Sequence, residues 1–292
     1  AEECHIDEIA KVLDRDPLEY RKQIIMRKGY ADGFSKNELY HDSYIETLAM
    51  GSEAMEYDKK IKEYADQKGN IRRGVGVATF WYNTAVWPIS LESSSCRMVM
   101  NQDGSIQLQL AETEIGQGAD TAFSQMAAET LGISLDKVHI QSTQDTDITP
   151  FGTGAYASRQ TYVGGFAVRQ TAELLKKKVL EYAQEWTRMP VFNLDIIDNN
   201  IVRTTDNRVL LSLGELATEA LYSLDHSEHF SAESTYQIKS NAFSFGCTFA
   251  EVEVDIALCK VKLLRMINVH DCGDLINPAL AEAQVHGGMS MA

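Results

Sequence analysis

The periodicity of the sequence first changes at Arg72-Arg73-Gly74, and that change limits the folds open to it. Before this point apolar residues recur three and four apart: Ile6, Ile9, Ala10 and Leu13, then Tyr44, Leu48 and Met55. That spacing marks one face of a helix. Beyond it, alternation takes over, as in Val75 and Val77. Cys96, Met98 and Met100 lead into Asn101-Gln102-Asp103-Gly104, and Ile106, Leu108 and Leu110 lead away, which predicts a hairpin with one buried face. Phe123, Met126, Ala127, Thr130 and Leu131 predict a helix with Asp120 as N-cap and Gly132 as its stop. Val138 and Ile140 alternate as a strand, and Val168, Ala172, Leu175, Val179, Tyr182 and Trp186 share one face of a helix after Gly164-Gly165. A late hairpin runs through Val252 and Val254, turns near Ala257 and returns through Val261, Leu263 and Ile267. Asn277-Pro278 then opens a last helix. Strands and helices in this mixture predict an α+β fold, with mixed sheets, hairpins and packed helices, rather than a doubly wound parallel sheet.

Charge divides the chain at the same place. Residues 1–70 hold 11 Lys/Arg and 16 Asp/Glu, about twice the charge density of the remainder. The expected organisation is a charged, mainly helical linking segment over 1–73 and a binding domain over 74–292. Asp16 before Pro17 fits a helix start in the first part. The net charge of −15 repels phosphate backbones and anionic lipid surfaces, so neither nucleic acid nor membrane is an expected partner. No apolar run approaches the roughly 20 residues of a membrane span. Five cysteines, none paired at CxxC spacing, argue against a disulfide framework, a structural zinc site or an iron–sulfur cluster held by this chain alone. They read as reduced thiols of a cytoplasmic protein. The chain starts without Met in a helical pattern and stops inside the small, apolar run Met289-Ser290-Met291-Ala292, so it is expected to be a fragment.

Three segments have the composition of a binding site. Glu114-Ile115-Gly116-Gln117-Gly118-Ala119-Asp120 places an amide between glycines at a helix start, where free N–H groups attract anions. A tight turn without a ligand is the alternative. The stretch Thr149 to Thr161 is irregular and rich in small residues, which lets a ligand lie against the main chain; within it Arg159 could pair with a phosphate. Gly164-Gly165 supplies a further anion-friendly helix start. The third segment, Asn268 to Pro278 followed by Gln284-Val285-His286-Gly287-Gly288, holds His270, Asp271 and Cys272 in a row. In a strand these alternate faces and cannot converge on one ion. His226 and His229 lack a third ligand nearby and read as surface residues.

Together these segments resemble the molybdopterin-binding half of the xanthine dehydrogenase and aldehyde oxidase family, the molybdenum hydroxylases. The matching stretches are Thr113 to Gly118, Ala157-Ser158-Arg159 with its downstream glycines, Phe249 to Asp255, and Gly273 to Pro278 through Gly288. Asp16 to Arg21 and Arg72 to Gly76 join them, in the family's order. The resemblance implies a cofactor, molybdopterin or its cytosine dinucleotide form with molybdenum, touched by Gln117 with Gly116 and Gly118. It implies that the main chain of Ala157, Ser158, Arg159 and Gln160 lies against it, with Ala157 near the metal, and that Gln284 contacts the pterin. It implies hydroxylation of a purine such as xanthine or hypoxanthine with water as oxygen source, and electron transfer to iron–sulfur and FAD-binding partners in an oligomer. A glutamate base expected beyond residue 292 leaves no catalytic residue in this chain, so the fragment alone is expected to be inactive. Where the family often has an aromatic side chain at the substrate, this sequence has Val86; Trp87 or Phe80 could supply the ring, or pack in the core. A related aldehyde-oxidising enzyme and a non-redox pterin- or purine-binding module are the alternatives.

Overall fold

The computed structural model describes residues 2–31, 33, 36–90, 92–141 and 145–291. Its elements in chain order are α1 (Glu2–Val12), α2 (Pro17–Ile24), α3 (Tyr44–Met55), α4 (Tyr57–Glu63), β1 (Ile71–Thr84), β2 (Ser93–Met100), β3 (Ile106–Leu110), α5 (Ala119–Leu131) and β4 (Val138–Gln141). They continue as α6 (Gly165–Thr187), β5 (Leu194–Ile197), β6 (Asn200–Arg203), β7 (Arg208–Ser212), α7 (Leu213–Tyr222), β8 (Ser231–Gln237), β9 (Ala242–Asp255), β10 (Lys260–Asp271) and α8 (Pro278–Met291). The fold is α+β, as the mixed periodicities predict.

The chain divides into two compact units, one of Ala1–Asn83, Ala242–Leu275 and Ala281–Ala292, the other of Thr84–Asn241 and Ile276–Leu280. The first 73 residues lie within the first unit. Their helices share a unit with the sheet β1-β9-β10. Leu18, Leu48, Met55 and Tyr57 close over Val77, Cys247 and Phe249 in one core cluster. Part of the charge that marks this region is buried with its counter-charge. Arg21 is fully buried, with Nε 2.9 Å from Glu3 and Nη1 2.6 Å from Asp7. Glu3 also accepts the Thr79 amide at 2.6 Å, which ties α1 to β1. Lys60 lies 2.6 Å from Glu251 on β9.

Helix α2 starts as its sequence predicts. Asp16 Oδ1 accepts the Leu18 and Glu19 amides at 2.8 and 3.0 Å, with Pro17 in the first turn. The other carboxylate oxygen accepts the hydroxyl of buried Tyr57 at 3.2 Å. Asp16→Ala therefore removes a cap and orphans a buried hydroxyl, and thermal unfolding should show a loss of about 2 kcal/mol. Asp16→Asn keeps an acceptor at the cap and should lose less; equal losses would deny the cap its share.

The second unit is built on the sheet β4-β3-β2-β8, in which β2 runs antiparallel to β3 and β8 while β3 and β4 are parallel. Cys96, Met98 and Met100 face Ile106, Leu108 and Leu110 on its inner side, covered by α5 and α6. The buried stripe of α6 ends at Ala183; Trp186, expected on that face, is half exposed. A smaller antiparallel sheet, β5-β6-β7, completes this unit.

Candidate functional site

The two loops singled out by composition meet in the second unit. Gln117 Nε2 donates to Thr113 O and to Gln160 Oε1, both at 2.8 Å. Gln160 Nε2 donates to the same Thr113 carbonyl at 2.9 Å, and Gln117 Oε1 accepts the Ile115 amide at 2.7 Å. Two side-chain amides are thus locked against each other and against the backbone between them. Each keeps acceptor capacity, and one N–H of Gln160 is left over. Gly116 lies in the left-handed region at φ 98°, and a Cβ there would meet nothing within 4 Å, so the loop presents bare backbone to open space. Gly118, at φ 89°, faces Leu280 at the start of α8. Asn277 caps that helix, accepting the Leu280 amide at 3.1 Å while donating to Gln125.

The opposing loop carries Ala157 and Ser158 at φ 46° and 52°, two consecutive non-glycine residues in the left-handed region. Such strain persists only where surrounding structure enforces it, and it concentrates at ligand-binding sites. The carbonyl of Ala157 accepts the Ala85 amide at 2.8 Å, which joins this loop to the segment holding Val86 and Trp87.

Three anion sites expected from the sequence are closed. The start of α5 is filled by the chain's own Glu114. One of its oxygens accepts the Gly116 and Gly118 amides at 2.6 and 3.2 Å, and the other accepts Asp120 N at 3.0 Å. These amide donors hold the Glu114 carboxyl below the usual range against the opposing effect of its desolvation, the largest single contribution. Gly118 is the N-cap residue, so Asp120 sits inside the helix and Glu114 does the capping expected of it. The Arg159 side chain cannot reach a phosphate, because it is fully buried and paired with Glu92 and Glu112. Gly164-Gly165 is not a free helix start, since the chain already coils in a π-turn over Gln160–Gly164. Those glycines instead make room: a Cβ at Gly164 would come within 2.8 Å of Glu112, and one at Gly165 within 2.8 Å of Met126.

The remaining candidates divide. The Val86 amide donates to Glu92 at 2.9 Å. Trp87 packs beside Ala85, Val163 and Ile238, and its carbonyl accepts Asn241 Nδ2 at 2.7 Å. Phe80 belongs to the other unit, where it lies against the His270 ring at 5.1 Å and above Gly246, a packing role. Gln284 is exposed on α8, and its stretch of the helix also belongs to that unit. His229 Nε2 is bonded to Met100 O at 3.0 Å. Among the described residues no three His, Cys, Asp or Glu side chains are grouped to hold a metal ion. Glu92, Glu112 and Glu114 shape the site and are not evident in the sequence, because isolated glutamates give no signal of what they will contact.

Comparison with known proteins accords with this geometry. A family model described as molybdopterin cofactor-binding domain matches residues 50–292. The xanthine dehydrogenase molybdenum-binding subunit of Escherichia coli O157:H7 is 46% identical over 292 residues, covering 100% of this chain and 39% of that protein. Reconstituted CO dehydrogenase from Oligotropha carboxidovorans superposes with a TM-score of 0.86 at 23% identity, over 98% of this chain and 38% of the other. Quinoline 2-oxidoreductase from Pseudomonas putida 86 superposes with a TM-score of 0.81 at 23% identity, over 99% of this chain and 38% of the other. Both structures share its fold. The chain spans between 29% and 39% of the length of the relatives it matches. With the family model covering most of its length, this chain belongs to the molybdopterin cofactor-binding domain family.

Proposed function

We propose that this chain is the cofactor-holding part of the molybdenum subunit of a xanthine dehydrogenase-type enzyme that hydroxylates a purine with water as oxygen source. Iron–sulfur and FAD-binding partners take the electrons, in a cytoplasmic complex. The observation that carries the reading is the junction of Gln117 with Gln160, which ties the two loops together. Identity of 46% along the whole chain to a xanthine dehydrogenase subunit favours a purine as substrate.

The residues present fit molybdopterin. Gln117 and Gln160 offer paired amides to a polar heterocycle, and Gly116, without a Cβ, leaves open space beside them. When bound, molybdopterin supplies the metal that activates water and accepts electrons. The chain's own part is to bind and orient. Gln117 and Gln160 would hold a polar edge of the group, and the main chain of Ala157 and Ser158 would lie against it. The glutamates around these loops are committed, Glu92 and Glu112 to Arg159 and Glu114 to backbone amides.

The test is metal analysis and assay of the full-length protein purified with its partner subunits. Stoichiometric molybdenum and oxidation of xanthine or hypoxanthine are expected. Molybdenum without purine turnover but with aldehyde turnover would move the substrate class. A matured complex free of molybdenum would sink the reading in favour of a non-redox binding module.

A further inference from the structure

Arg159 has no path to solvent, and its guanidinium gathers three segments of chain. Nε donates to Glu92 Oε2 at 2.7 Å. Nη1 donates to both Glu112 oxygens at 2.9 and 3.0 Å and to Gly154 O at 3.2 Å. Nη2 donates to Ser93 O at 2.6 Å. Both carboxylates are as fully buried as the arginine. The second oxygen of Glu92 accepts the Val86 amide at 2.9 Å. Glu112 immediately precedes Thr113, whose carbonyl anchors Gln117 and Gln160. Gly154 opens the turn that ends in the left-handed pair Ala157 and Ser158. One buried cation therefore sets the Val86–Trp87 loop, the Gln117 loop and the Ala157–Ser158 loop in fixed register.

Such a cluster is a poor route to stability. Desolvation of three charges offsets most of their attraction, and apolar residues of equal volume often do as well. Its distinctive effect is geometric, since a planar guanidinium with five donors accepts few arrangements of its partners. We propose that the Arg159 side chain, acting through Glu92 and Glu112, positions the molybdopterin-facing loops without its guanidinium touching the cofactor. The proposal rests on the reading that these loops hold molybdopterin.

Arg159→Lys in the holoenzyme keeps the charge and loses the fork. The matched control is Arg21→Lys, a fully buried arginine between Glu3 and Asp7 in the other compact unit. Hydrogen exchange read by mass spectrometry should show the amides of residues 84–90, 113–118 and 153–158 exchanging about tenfold faster in Arg159→Lys. Bound molybdenum per polypeptide should fall about ten- to a hundredfold, the range found when supporting partners of metal sites are lost. Arg21→Lys should leave both readouts at wild-type values even where its melting temperature drops as far. Should Arg159→Lys not fold, Glu92→Gln, which keeps an acceptor for Val86, takes the same two measurements.

Unchanged exchange in the three loops overturns the proposal. So do equal losses of molybdenum in the two arginine variants, or faster loop exchange with full molybdenum content. Wild-type protein that carries no molybdopterin overturns the functional reading instead, and the exchange data then still report whether Arg159 holds the loops.

Discussion

Gly132→Ala should lower the melting temperature by about 10 °C, the shift that a loss of roughly 4 kcal/mol gives a chain of this size. Gly132 ends α5 in the left-handed region at φ 82°, and its amide closes the helix on Ala128 O at 2.9 Å. A side chain in that conformation costs about 1 kcal/mol on backbone grounds alone. The larger effect is contact. A Cβ would stand 1.9 Å from the carbonyl oxygen of Ile196, in the middle of β5. That neighbour is backbone and cannot rotate away. Asn199, in the turn between β5 and β6, also holds the chain after Gly132 through Ser134 N at 2.9 Å. Displacing the hairpin therefore disturbs several bonds, an overpacking cost of about 3 kcal/mol. Gly116→Ala is the internal comparison. It shares a positive φ, 98°, but its Cβ would meet nothing within 4 Å, so it should lose only the backbone share of about 1 kcal/mol. Thermal unfolding of both variants separates strain from collision. Equal shifts in the two would deny the contact with Ile196 its weight.

Gly132 was legible in the sequence because a helix stop is a local signal, written in one residue after an apolar face. The same holds for Asp16-Pro17 and for the hairpin turn at Asn101 to Gly104. The two site loops were legible through the density of glycine and small residues. What escaped were the interactions that close over long stretches of chain. Arg159 finds Glu92 and Glu112 at separations of 67 and 47 residues, and nothing near Arg159 distinguishes a phosphate ligand from a buried ion pair. Arg21 likewise reads as solvated charge until Glu3 and Asp7, from the preceding helix, are placed beside it. Glu114 escaped for a different reason. Helix caps are sought just before the first turn, whereas this carboxylate folds back over a glycine loop to reach amides four and six residues ahead. Gly164-Gly165 carries an ambiguous signal, because a glycine pair fits equally well a helix start and a place where side chains press on a helix.

Gln117→Glu should empty the site more completely than Gln117→Ala, although glutamate is the closer match in shape. Gln117 Nε2 uses both hydrogens, one on Thr113 O and one on Gln160 Oε1. Alanine leaves those acceptors short of a donor in a half-buried place, a loss of about 1–3 kcal/mol. A carboxylate puts a charged acceptor against two acceptors, and its other oxygen alone keeps a partner, the Ile115 amide. The loops must part to admit water, and the left-over N–H of Gln160 turns toward the new charge. Molybdenum per polypeptide in the full-length enzyme should therefore fall about tenfold for alanine and about a hundredfold for glutamate, a difference of ~1.4 kcal/mol between them. Gln160→Ala should resemble Gln117→Ala, and the double alanine variant should lose less than the two single losses multiplied, because each amide has already lost its partner in the other's single variant. Multiplying losses would mean the amides act separately. Glutamate at 117 with wild-type molybdenum would remove the paired amides from the site altogether.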